Sequence, residues 1–201
     1  MQTFKNQNEA ELIEVKFDSS EINHKKDDLK GWREKAVSRA LEELGIDYRY
    51  EPKEYQFQLH KLGINSKYKP DFVLDAYYKE KGFDKQVIIE THTKFDWYYI
   101  KRMKEFSKEY NNFKLIFVMP LLTNKGLSKQ QLNYLNRFSI VLTINETNEK
   151  SKNKNRVKNN YQNDNKIKHM ANKLKDSLTK LPLNDYYHNP IKNSKELLRK
   201  Y

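Results

Sequence analysis

Three features of the 201-residue chain predict a mixed α/β domain with a basic C-terminal helical extension. Period-two apolar stretches alternate with stretches of helical spacing between residues 29 and 144. A short, almost wholly apolar run at Lys114–Met119 reads as a strand buried on both faces. From Asn145 the composition turns polar and basic. The expected divisions are an N-terminal strand and linker at 1–28, a central domain at 29–144, a basic linker at 145–166 and a helical tail at 167–201.

Alternation of Ile13, Val15 and Phe17 predicts a first strand, joined through Lys25, Lys26, Asp27 and Asp28 to a helix. Val37, Ala40, Leu41 and Leu44 fall on one helical stripe, and Gly45 supplies the left-handed residue that ends it. One turn before Val37 stands Glu34. A carboxylate on the inward stripe either faces a site at the helix start or pairs with a nearby Lys or Arg.

Strands are expected within Tyr48–Leu59 and Tyr68–Tyr78, then, after a turn around Lys79–Lys85 containing Gly82, at Gln86–Thr93. Asp71 and Glu90 thereby come onto adjacent antiparallel strands, in a register the turn leaves open. Trp97, Ile100, Met103 and Phe106 predict a helix, followed by the Lys114–Met119 strand ended by Pro120. A helix over Ser128–Arg137, with Leu132 and Leu135 inward, and a strand at Ser139–Ile144 complete the domain. Ile167, Met170, Leu174, Leu178 and Leu181 mark an amphipathic helix ending before Pro182. It docks on the domain, on a partner subunit or on DNA.

The charge narrows the partners. A formal net charge of +12 with 33% charged residues calls for a polyanion, since Lys and Arg that neutralise phosphates release counterions. Residues 150–175 hold nine Lys or Arg against one acid, Asp164. That reads as a solvated arm that would grip phosphates. The longest apolar run, Leu115–Leu122, is too short to cross a bilayer, and the polar first residues do not form a signal peptide. With no cysteine there is no thiolate zinc site, and a reducing cytoplasm is the expected compartment.

Asp71, in Tyr68-Lys69-Pro70-Asp71-Phe72-Val73-Leu74, and Glu90, in Val87-Ile88-Ile89-Glu90-Thr91-His92, are carboxylates at the rim of apolar strands. Such groups lose hydration that a cation or a set of donors must restore, so the pair is a metal site or a salt bridge. Phosphodiester hydrolysis needs a positioned water and relief of charge on the phosphorane, and magnesium held by two or three carboxylates meets both needs. Glu34, Asp71 and Glu90 are the candidate set. If its strand continues, alternation brings His92 and Lys94 to the face of Glu90, placing a cation or proton-transfer group beside the acids. His24, His60, His169 and His188 have no ligand spacing and receive no role. Phe95, Trp97, Tyr98 and Tyr99 either stack on an unpaired base or pack at a helix start.

Pro-Asp followed on the next strand by a Glu-x-basic pattern, with an acid on a preceding helix, resembles the PD-(D/E)xK nuclease superfamily. More narrowly it is similar to the endonuclease I family of T-odd coliphages, which are Holliday-junction resolvases. The likeness rests on Trp32-Arg33-Glu34-Lys35-Ala36-Val37, on Leu44-Gly45-Ile46-Asp47-Tyr48-Arg49-Tyr50-Glu51, on the blocks around Asp71 and Glu90, and on Leu115-Ile116-Phe117-Val118 with Lys125-Gly126. It runs from about Leu29 to Ile144. The resemblance implies a restriction-endonuclease-like mixed sheet flanked by helices. It further implies an Mg2+-dependent endodeoxyribonuclease, with Mn2+ as substitute, in a bacterial or phage-infected cell.

Within that family pattern Asp71 and Glu90 ligate the metal, Glu34 completes a second metal position, and the Thr91 carbonyl is a further ligand. An intertwined homodimer is implied, with the strand near Tyr48–Gln58 crossing between subunits and two sites cutting a branched junction. The family's lysine is His92 here, so His92 or Lys94 takes over water activation. Expected DNA contacts are Arg33, Lys69, Lys101, Arg102 and Lys125, with Lys150, Lys152, Lys154, Arg156 and Lys158 of the basic stretch. Two rivals keep the fold: a sequence-specific homing or restriction-type endonuclease, and a DNA-binding protein whose catalysis has decayed.

Overall fold

The computed structural model describes residues 29–92, 95–121, 127–145 and 158–184, with no side chains described at 120–121, 145 and 158–163. The strand at Ile13–Phe17, the connection through Lys25–Asp28, Lys94, Lys125, Lys150, Lys152, Lys154 and Arg156 lie outside these residues.

Helix α1 spans Trp32–Leu44. Glu34 serves its open N-terminus: its Oε2 accepts from the backbone N–H of Lys30 (2.6 Å) and Gly31 (3.0 Å). Gly45, at φ 69°, ends it as expected, and Ile46 N–H returns to the Leu41 carbonyl at 3.0 Å. Strands β1 (Tyr48–Tyr50), β2 (Tyr55–Leu59), β3 (Ile64–Tyr68), β4 (Phe72–Glu80) and β5 (Phe83–Glu90) follow.

The segment at Tyr48–Leu59 holds two strands. β1 pairs β4, whereas β2 pairs β3 in a separate hairpin. The strand expected at Tyr68–Tyr78 breaks at Lys69–Asp71, where Pro70 has no N–H to give a ladder. The turn before β5 is also tighter than expected, with β4 running to Glu80 and β5 starting at Phe83.

Helix α2 spans Trp97–Glu109, capped by Asp96, which accepts from Tyr99 N–H at 2.7 Å. Strand β6 (Phe113–Leu121) runs through Pro120 instead of stopping there. Past Phe117 β6 pairs only β7, so a residue without an N–H is tolerated on the open side. Helix α3 (Lys129–Leu135) carries a Ser128–Gln131 capping box, and β7 is Ser139–Asn145.

Helix α4 spans Lys158–Leu178, so it begins inside the stretch read as linker, and β8 (Leu183–Asn184) pairs β4. Of the three docking choices, α4 takes the domain: Met170, Ala171, Leu174 and Leu178 are buried with Ala36, Val37, Ala40 and Leu41 of α1. Three alanines in that seam let the two helices approach closely.

The sheet order is β1-β4-β5-β6-β7, with β8 on the same edge of β4 beyond β1. β1, β4 and β5 are antiparallel neighbours, and β5, β6 and β7 are parallel. This is the predicted mixed α/β architecture, a mixed sheet flanked by four helices among the described residues. None of the described helices is long and apolar enough to cross a membrane.

Alternation sorts the strand residues between two cores. Phe72, Leu74, Val87 and Ile89 join the layer under α1 and α4, whereas Val73 and Ile88 face α2 and the hairpin. Asp71 shares its side of the strand with Val73, and Glu90 shares its side with Ile88. The same parity that builds the core therefore turns both acids toward α2.

Candidate active site

The register Phe72↔Ile89 brings Asp71 directly opposite Glu90. Asp71 N–H points at Glu90 Oε2 at 3.3 Å. In return, the chain beyond Glu90 holds Asp71: Thr91 N–H and Thr91 Oγ1 donate to Asp71 Oδ2 at 2.7 and 2.8 Å. The two strand ends are thus cross-tied, and the register that sequence left open is fixed with the carboxylates as neighbours.

Glu90 is only 6% exposed. Its partners come from the aromatic side, where Tyr68 OH donates to Oε2 at 2.7 Å and Tyr99 OH to Oε1 at 3.3 Å. Burial, reinforced by the Asp71 charge, pushes the Glu90 carboxyl up to about 8 despite those donors. Asp71 is raised too, by burial first and then by Glu34 and Glu51, with Thr91 pulling the other way. Both tyrosines are pushed well above the ordinary phenol value by burial and by Glu90, so they remain donors.

A carboxyl pair at the mouth of a buried strand calls for a cation or a set of donors. Its donor set, hard carboxylate oxygens at two strand ends, suits Mg2+ or Mn2+, which bind through one or two carboxylates and keep their remaining positions for water and phosphate. Asp71 and Glu90 would hold such an ion, with the Thr91 carbonyl next along the chain. Among the described residues, no group of three or more His, Asp or Glu gathers tightly enough to form a full cage.

Glu34 is near enough to raise Asp71, yet its Oε2 is engaged by the two backbone N–H groups and by Tyr50 OH at 2.9 Å. Its observed work is to cap α1. The structure brings Asp71, Glu90 and Thr91 together, with Glu34 at the margin.

β5 ends at Glu90, so strand alternation does not extend to His92. The imidazole nevertheless stays on the same side: it stacks on Tyr99 (centroids 4.0 Å, 7°) and meets the edge of Phe95 at 5.3 Å. Through Tyr99 it adjoins the acid pair.

Three neighbours carry more of the site than their sequence signals suggested. Tyr68 reads only as a strand aromatic, and Tyr99 as one of four rings that stack on a base or pack at a helix start. Glu51, which no local pattern marks as a site residue, stands beside Asp71 at φ 44°, a left-handed conformation that costs a side chain like glutamate energy. Its N–H donates to the Asp71 carbonyl at 2.9 Å, and its carboxylate takes Lys69 at 2.7 Å as well as Lys30. Those lysines hold Glu51 below the usual carboxylate range.

The expected DNA contacts divide accordingly. Lys69 is paired with Glu51. Arg102 ties α2 to the hairpin, donating to Ser66 Oγ at 3.0 Å and to the Lys67 carbonyl. Arg33 lies half-buried over the Trp32 ring at 4.7 Å. Lys101 is exposed on α2, and Lys158 opens α4.

No family model matches the chain, and no curated protein matches it. Among solved structures, an XisH family protein from Nostoc punctiforme PCC 73102 is similar over 57% of this chain and 91% of that chain, at 14% identity and a TM-score of 0.35.

Proposed function

We propose that the chain is a metal-dependent endodeoxyribonuclease of the PD-(D/E)xK type, acting on branched DNA as a homodimer. The observation that carries this reading is the cross-tied pair Asp71–Glu90, in which a carboxylate is buried against a second one and its pKa driven up to about 8. Titratable groups perturbed by burial and by a neighbouring acid cluster at functional sites. The +12 charge supports a phosphate-bearing substrate.

Asp71 and Glu90 would hold Mg2+ or Mn2+, which when bound relieves the charge developing on the phosphorane. Tyr68 and Tyr99 fix the Glu90 carboxylate in place, and Thr91 does the same for Asp71. His92, stacked on Tyr99, is positioned to accept a proton from an attacking water, in the place of the family's lysine. The ion takes the deprotonated carboxylate and so competes with the proton that burial favours on Glu90, which makes cleavage at limiting metal rise with pH.

The test is cleavage of a mobile four-way junction against a linear duplex of the same arm sequences, with Mg2+ and with Mn2+. Junction cleavage by the wild type, lowered roughly a hundredfold or more in Asp71→Asn and in Glu90→Gln, is the expected result. Undiminished cleavage in both variants overturns the reading.

A binding protein of the same fold is the second reading, favoured by the parallel stacking of His92 on Tyr99 and by the engagement of Glu34 in the α1 cap. It predicts junction binding with no nicking under either metal.

A further inference from the structure

We propose that the first turn of α2, with the end of α3, is a stacking platform for an unpaired DNA base beside the acid pair, an inference that rests on the nuclease reading above. Helix α2 buries Tyr99, Ile100, Met103 and Phe106, which fixes its inward face. Trp97 and Tyr98 lie off that face, 37% and 61% exposed, and neither packs into the two cores of the sheet. Large aromatic surface left in water at a helix start invites an explanation other than packing.

The surroundings favour nucleic acid. Trp97 meets Tyr134 edge-on at 5.6 Å, and Tyr134 has Lys104 Nζ at 4.8 Å and Arg137 at 5.8 Å from its ring. Exposed Lys101 follows Trp97 by four residues and Tyr98 by three, so it stands on the same side of the helix one turn along. Phosphates alone would call for the cations without the rings. Rings interleaved with cations are the arrangement that takes a base face and its backbone together, whatever the base.

Bases inside a continuous duplex keep their faces covered by their neighbours, so this surface selects strands with an unpaired base. The same helical turn carries Tyr99, whose hydroxyl contacts Glu90. A base seated on Trp97 and Tyr98 would therefore set the strand relative to the acids through one rigid element, and would give the enzyme a way to favour branched or gapped DNA.

The chain has two tryptophans, so Trp32→Phe leaves Trp97 as the sole reporter. In EDTA, where cleavage cannot occur, its emission is expected to be quenched by a duplex with a short single-stranded gap and much less by the intact duplex. In the otherwise native chain, Tyr98→Ala should weaken binding of the labelled gapped duplex by roughly tenfold, read by fluorescence anisotropy, with intact-duplex affinity unchanged. Equal quenching by both DNAs, or unchanged gapped-duplex affinity in Tyr98→Ala, overturns the proposal. Because both measurements omit metal, failure of the nuclease reading shows in the cleavage assay and failure of stacking shows here.

Discussion

Over one face of the sheet, α1 and α4 cover Phe72, Leu74, Val87, Ile89 and Ile116 largely with aliphatic and alanine side chains. Over the other, α2 and the β2–β3 hairpin cover Val73, Ile88 and Leu115 with a run of aromatic rings that includes Tyr55, Phe57, Tyr68, Tyr99 and Phe106. Both faces exclude water, but they deliver different chemistry to the strand ends. A tyrosine buries its ring and still presents a hydroxyl at the ring's far edge. On the aromatic face Tyr68 and Tyr99 spend those hydroxyls on Glu90, whereas on the aliphatic face Tyr48 spends its own on Ser38. On the aliphatic face the buried phenol serves a neutral partner and the half-buried Tyr50 serves the Glu34 cap, whereas the aromatic face couples its packing to the charge state of a buried acid.

The largest expected effect tests that coupling through the core itself. Phe106 is fully buried and packs edge-on against Tyr68 (4.6 Å between centroids) as well as Tyr55 and Phe57. Phe106→Ala should cost about 3–5 kcal/mol, and Leu174→Ala on α4 about 2–5 kcal/mol, both measured by urea denaturation. Only Phe106→Ala should also move the Glu90 titration, followed by NMR of the side-chain carboxyl, because only there does the ring supporting Tyr68 disappear. A shift of equal size in Leu174→Ala breaks the distinction between the faces.

Next in size is the pH dependence. Glu90 rises from an ordinary 4.5 to about 8 on folding, so between those values the folded chain holds a proton that the unfolded chain has released. Stability of the metal-free protein should therefore be greatest below pH 4.5 as far as this group is concerned, and should fall by up to about 1.4 kcal/mol per pH unit as pH rises toward 8. Glu90→Gln should flatten that slope, and added Mn2+ should oppose it at high pH. A wild-type slope of the opposite sign over this window, removed by Glu90→Gln, would mean that the carboxylate is stabilised by its surroundings.

Tyr68→Phe comes third. Its hydroxyl donates to Glu90 at 2.7 Å and pulls the carboxyl downward, so its loss should raise Glu90 further, by about one to two pH units. Tyr99→Phe, acting at 3.3 Å, should raise it less. Reversal of that order would assign the main support of Glu90 to α2 and not to the hairpin.

Much of this contrast is legible in the sequence. The strand parity that buries Phe72 and Ile89 also turns Asp71 and Glu90 to the opposite face, and parity is a property of the sequence. Helix α1, its Gly45 stop and the α4 apolar stripe were equally plain, because helical spacing over several turns is hard to mimic. What escaped was set by contacts distant in sequence. β3, Ile64–Tyr68, has a single buried residue, so it has no apolar alternation to betray it, and it exists because β2 pairs with it. Glu34 read as a site acid, since nothing local reveals that Lys30, Gly31 and, sixteen residues on, Tyr50 would occupy its Oε2. Glu51 has no local signature, because its importance depends on a backbone bend and on lysines from two other segments. The identity of the acids was local, but their partners were not.

The smallest effect is the control for the whole comparison. Tyr48 OH donates to Ser38 Oγ at 2.7 Å in the layer between α1 and β1, and both residues are buried. Tyr48→Phe removes one neutral hydrogen bond and keeps the ring that packs edge-on against Phe72 at 5.3 Å. Ser38 is not orphaned, since its hydroxyl still reaches Glu42 at 3.2 Å. The expected loss is about 1 kcal/mol of stability, read by denaturation, with the Glu90 titration and junction cleavage both unchanged. The same deletion of a phenolic oxygen at Tyr68 changes all three. If Tyr48→Phe also moves Glu90, the charge state of the acid pair responds to the sheet as a whole, and the aromatic face has no special claim on it.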